Sequence, residues 1–95
     1  MTTSTRMIYS VGSGMDAIAV FGPTRVEADA DEFFGGKESE PYQSEVMRSP
    51  TWGDLMRCAD EQAKKTRDEH HVFVEGIEFV RKDGNVAVIR LVLGS

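Results

Sequence analysis

The chain has one cysteine, one tryptophan and three prolines in 95 residues, and no apolar run approaches the ~20 residues that a membrane-spanning helix needs. A lone Cys58 cannot build a disulfide framework, which agrees with a reducing compartment. The opening Met1-Thr-Thr-Ser-Thr-Arg6 lacks the basic start and apolar core of a signal peptide. A soluble, cytoplasmic protein is therefore expected. Positive charge is also scarce. The formal net charge is −5, and the segment from Glu27 to Glu45 holds Glu27, Asp29, Asp31, Glu32, Glu38, Glu40 and Glu45 against Lys37 alone. That imbalance disfavours direct nucleic-acid binding through a basic patch and docking to an anionic membrane, while a basic partner protein suits it. Catalytic motifs are missing as well. Ser10, Ser13, Ser44 and Cys58 have no companion base at a familiar spacing, the histidines are the adjacent pair His70 and His71, and no cofactor is expected.

What is present is a chain with 40% hydrophobic and 28% charged residues, the composition of an ordinary globular protein, long enough for one domain with a modest core over 1–95. The stretch from Ser49 to Leu93 is the clearest. Ser49 or Thr51 can cap a helix, Pro50 suits its first turn, and Thr51 with Asp54 resembles a capping box. Trp52, Leu55, Met56, Ala59 and Ala63 recur at helical spacing as one apolar stripe, opposite Arg57, Asp60, Glu61, Lys64, Lys65 and Arg67. The helix should end near Arg67.

A long β-hairpin should follow, turning at Arg81-Lys82-Asp83-Gly84-Asn85 through a type I turn and a left-handed Gly84. That register pairs Phe79 with Ala87, Ile77 with Ile89 and Phe73 with Leu93, and sets Glu75 on the apolar face between Phe73 and Ile77. The second face then carries Val74, Glu78, Val80, Val86, Val88, Arg90 and Val92. A two-residue turn on Asp83-Gly84 is the alternative, and it separates the two faces less well.

Ahead of the helix, Thr5 to Val11 alternates like a strand, Gly12-Ser13-Gly14 suits a turn, and Asp16 to Phe21 suits a second strand stopped by Gly22-Pro23. A short helix is the alternative there. Arg25 to Ala28 extends that strand or forms loop, about 27–45 is an acidic irregular loop, and Ser44 to Arg48 forms a short edge strand. The expected fold is α+β, a mainly antiparallel sheet packed on one main helix in the order β-β-loop-α-β-β.

Four groups of residues bear on function. Gly12-Ser13-Gly14-Met15-Asp16-Ala17, with Asp31 and Glu32 downstream, matches a dinucleotide-binding fingerprint, but Gly22-Pro23 would break its helix after about two turns, so a plain turn is preferred. Asp68-Glu69-His70-His71 with Glu75 offers metal-ligand types, and a solvated turn is the bland account. Asp29-Ala30-Asp31-Glu32-Phe33-Phe34-Gly35-Gly36 is no EF-hand, because Phe33 and Phe34 occupy its fifth and sixth positions. Those phenylalanines anchor the loop in its own core or, second, offer a partner a hot spot. The valines of the hairpin's second face need covering by another part of the chain or by another subunit.

The expected function is accordingly a small non-enzymatic protein-interaction module, self-associating as a homodimer through a sheet face or edge. Asp29, Asp31, Glu32, Phe33 and Phe34 would form its partner contact. One variant is an acidic inhibitor that occupies the basic, nucleic-acid-binding groove of another protein. The competing class is a small metal-dependent enzyme or ligand-binding protein using His70, His71 and Glu75.

Overall fold

The computed structural model describes residues 14–68 and 73–94, with Glu32, Phe34 and Phe73 described by their backbone alone. The strand predicted at Thr5–Val11 lies outside those residues. Strand β1 (Pro23–Ala28) is followed by a helical turn α1 (Glu32–Gly35), a 3-10 turn (Gly36–Glu38), β2 (Tyr42–Gln43), β3 (Met47–Arg48), helix α2 (Trp52–Thr66), β4 (Phe73–Asp83) and β5 (Val86–Gly94). The fold is α+β, and its sheet is mixed. β1 lies parallel to β5, β5 pairs antiparallel with β4, and both β2 and β3 pair antiparallel with the other side of β1.

Alternation assigns the two faces. Thr24, Val26 and Ala28 of β1 and Ile89, Leu91 and Leu93 of β5 face α2, where Val26, Ile89, Leu91, Tyr42, Met47, Trp52, Leu55, Cys58, Ala59 and Val74 form the core. The helix buries a stripe rotated from the predicted one. Cys58, Gln62 and Thr66 turn inward beside Leu55, while Met56 stays 37% exposed, because the sheet beneath is centred on β1 and β5 rather than on the hairpin. The predicted capping box is present: the Asp54 N–H donates to Thr51 Oγ1 (3.1 Å) and the Thr51 N–H to Asp54 Oδ2 (2.9 Å).

Met15 to Val20 forms turns and bends rather than the predicted strand, with one bridge from Ile18 to Thr51. Its carbonyls finish the helix start: Ala17 accepts the Trp52 N–H (3.0 Å) and Met15 the Gly53 N–H (2.9 Å). No helix forms over Met15 to Val20, so the dinucleotide fingerprint lacks the helix N-terminus whose amides would hold a phosphate.

Of the edge strand predicted at Ser44–Arg48 only Met47–Arg48 forms, as β3, and Ser44 lies in the gap between it and β2. The Val26 N–H donates to Ser44 Oγ (2.9 Å), the Ser44 N–H donates to the Val26 carbonyl (2.8 Å), and the hydroxyl donates onward to the Glu45 carbonyl (2.8 Å). A side chain thus stands in for a ladder partner at a residue with no solvent exposure.

The hairpin register differs from the expected one. Asp83 pairs with Val86, and of the two turn residues only Gly84 has positive φ (63°), the type II′ pattern with glycine first. Phe79 therefore faces Ile89, Ile77 faces Leu91 and Val74 faces Leu93, with register shifts at Glu75 and Val80. Each shift inserts one residue into β4, which keeps Val74, Ile77 and Phe79 on the helix side despite their uneven spacing. Glu75 is the inserted residue of the first shift. It is exposed, not set among the apolar side chains as predicted.

The outer face is a valine surface only in part, with Val92 44% exposed on it. Val74 belongs to the core, and Val88 is fully buried between its cross-strand partners Arg25 and Arg81. Those arginines share Glu27 and Asp83: Arg25 lies 3.7 Å from each carboxylate, and Arg81 lies 3.0 Å from Glu27 and 3.2 Å from Asp83. The hydrogen bond from Gln43, with that from Arg81, holds the Glu27 carboxyl below its ordinary range.

Two outcomes follow from these features. Ser44→Ala leaves the buried Val26 N–H without its acceptor and should cost about 1–3 kcal/mol in urea unfolding, with the m-value unchanged. Because the folded Glu27 has a depressed pKa, its stabilisation is present above the unfolded value near ~4.3 and is lost as pH falls further through the folded one. Glu27→Gln should flatten that acid limb in unfolding curves taken from neutral pH downward.

Candidate interaction surfaces

The acidic segment is built as two helical turns rather than an irregular loop. The Asp31 carbonyl accepts the Gly35 N–H (2.7 Å), Asp31 Oδ1 accepts the Phe33 N–H (3.1 Å), and the Asp31 N–H donates to Ser39 Oγ (2.7 Å). Asp31 thus caps α1, as a short side-chain acceptor ahead of a helical turn does. The turns press against the end of α2. At Gly35 the backbone comes so near the Thr66 carbonyl that a Cβ would collide with it. The Glu40 N–H donates to the Lys65 carbonyl (2.9 Å), one of the orphan acceptors at a helix end.

Ion pairs repeat that arrangement. Glu40 lies 3.3 Å from Lys65 Nζ, Glu38 lies 3.5 Å from Arg67, and Asp29 lies 3.4 Å from Arg90. Much of the segment's negative charge thus faces the fold's own bases. These pairs are exposed and contribute little each, but with Glu27 they engage four of the segment's seven acids. Glu32 and Phe34 are placed within α1 through their backbone only. Phe33 is 86% exposed, which overturns core anchoring for that ring.

The predicted metal set is not assembled among the described residues. His70 and His71 lie outside them, Glu75 is exposed at its bulge, and no group of three or more cysteine, aspartate, glutamate or histidine side chains converges within the described part.

Sequence patterning missed a polar cluster on the flank of α2. The Tyr42 hydroxyl donates to Glu61 (2.7 Å), Arg57 reaches Glu61 (3.3 Å) and the Met47 sulfur (3.8 Å), and Cys58 Sγ lies 3.9 Å from that sulfur. Burial pushes the Cys58 thiol up, and burial together with the Glu61 bond pushes the Tyr42 phenol well up. Both groups are held protonated, so neither is prepared as a nucleophile.

Patterning also missed the exposed aromatics. Phe21 is 80% exposed and Phe79 is 60% exposed, and with Phe33 these are all the phenylalanines whose side chains are described. Phe79 stands on the helix side of β4 beyond the reach of α2. Met56, Ala59, Asp60, Ala63 and Val74 line an open groove of about 270 Å³ between α2 and β4. That is below the ~300–1,000 Å³ of small-molecule sites, and no set of convergent polar groups lines it.

No known protein family matches the chain, and no solved structure does. Part of the chain is similar to the phenylalanine-tRNA ligase beta subunit of Methylococcus capsulatus, at 37% identity over 54 residues, which is 53% of this chain and 7% of that protein. The chain therefore spans a small fraction of the length of the relative it matches.

Proposed function

We propose that the chain is a small non-enzymatic protein-interaction module, one folded unit that self-associates and meets a further protein through the Phe33 turn of its acidic segment. The observation that supports this most is the exposure of Phe33 at 86%, on a turn fixed by the Asp31 cap and by the packing of Gly35 on α2. A ring presented on a fixed backbone loses little entropy on docking, and aromatic anchors carry a large share of interface energy. The acidic composition of the segment around it suits a basic partner. The variant in which the module inhibits a nucleic-acid-binding protein by occupying its basic groove draws less support, since Asp29, Glu38 and Glu40 already face Arg90, Arg67 and Lys65. A buried thiol at Cys58 suits a reducing, cytoplasmic setting.

Retention of native-source proteins on the immobilised chain, compared with Phe33→Ala, tests the reading. The variant should unfold within ~0.5 kcal/mol of the parent, as exposed substitutions do, yet lose a specifically retained protein. Retention that survives the substitution, or a variant that unfolds, counts against Phe33 as the contact.

A further inference from the structure

β4 is the edge of the sheet among the described residues, with β5 on one side and no strand on the other. Edges of this kind are normally short, or blunted by bulges and charges. β4 runs for 11 residues and has bulges at Glu75 and Val80, which leave Gly76–Phe79 regular between them. Within that stretch the side chains are those of a pairing surface. Ile77 and Phe79 stand on the helix side, and Phe79 exposes 60% of its area at the position where a further strand would cover it. On the outer side stand Glu78 and Arg81, each opposite an outer-face residue of β5. Glu75 joins them, since its carboxylate lies where a Cβ on Gly94 would project.

We propose that two copies of the chain pair antiparallel along β4, about a two-fold axis at Glu78. The proposal rests on the self-association part of the reading above and names its surface. A two-fold at Glu78 sets positions equidistant from it face to face, and directly opposed residues share a side of the sheet. Ile77 of each copy then meets Phe79 of the other on the helix side, which gives both rings an apolar neighbour. Glu75 of each copy meets Arg81 of the other on the outer side, so the acid-first, base-second order of the strand is self-complementary. Each bulge falls beside the other copy's bulge, at Gly76 against Val80 and Glu75 against Arg81, so the irregularities coincide. One contact is unfavourable, Glu78 against its own copy, with an Arg90 beside each carboxylate on β5.

Sedimentation equilibrium of the full chain and three variants tests this register. Phe79→Glu, at an exposed position, should weaken the dimer by about tenfold or more, because it removes both apolar pairs and adds charge. Glu78→Gln should tighten it roughly two- to fivefold by relieving the contact at the axis, while Glu45→Gln, an equal change of net charge at another exposed position, should leave it unchanged. If Phe79→Glu fails to fold by circular dichroism, the contrast between a tighter dimer in Glu78→Gln and an unchanged one in Glu45→Gln still decides. A dimer indifferent to Phe79 and Glu78, or equally strengthened by both glutamine variants, overturns the β4 pairing and leaves self-association standing. A parent chain that is monomeric at its highest attainable concentration overturns both.

Discussion

The pairing of β1 with β5 is the constraint on which the other elements depend. The two strands lie far apart in the chain and run parallel, so no tight turn can join them and their contact must come from what packs above. Val26 sits at that junction with no solvent exposure, its side chain under α2 and its backbone held on the far side by Ser44. Remove the helix and β1 has an apolar face without cover. Remove β1 and the hairpin is left as a two-stranded ribbon, which is marginal in water.

That dependence explains where the chain spends its polar groups. The segment from Met15 to Val20 gives its carbonyls to the start of α2, and the acidic turns give an amide and two carboxylates to its end. Both helix termini are therefore closed by chain that looks like loop. The outer face shows the same economy: Val88 lies between two arginines whose charges are met by Glu27 and Asp83, so a strand buried on one side is shielded on the other without a second helix layer.

Local signals were legible and tertiary ones were not. The capping box at Thr51 and Asp54, the helix through Thr66 and the existence of the hairpin follow from interactions within a few residues. The register did not. A turn reading needs only the chain's preference near Gly84, whereas the inserted residues at Glu75 and Val80 answer to which β4 side chains α2 and β5 can bury. Asp16 to Phe21 departs from the expected strand for a similar reason. An apolar run of that length suits a strand equally well as a strap across a helix start, and the demand of Trp52 and Gly53 for acceptors decides between them. Of the candidate site, the acidic turn and its phenylalanines are legible as a group, but nothing in the local pattern tells that the Phe33 ring is exposed. The charge count was legible too, although the pairing of Asp29, Glu38 and Glu40 within the fold was not.

The internal pairing of charge shifts the burden of recognition onto the rings. A carboxylate already facing an arginine must give up that contact to take another, so exchange across an interface yields little net energy. Covering the exposed part of Phe33 or Phe79 removes apolar surface from water, at roughly 25 cal/mol per Å². The charges then serve orientation. On β4 the order of Glu75 before Arg81 distinguishes an antiparallel neighbour from a parallel one, and around Phe33 the acids disfavour an acidic surface. In the proposed interaction module, affinity from aromatic area and selection from charge order would thus be separable properties of the same short segments.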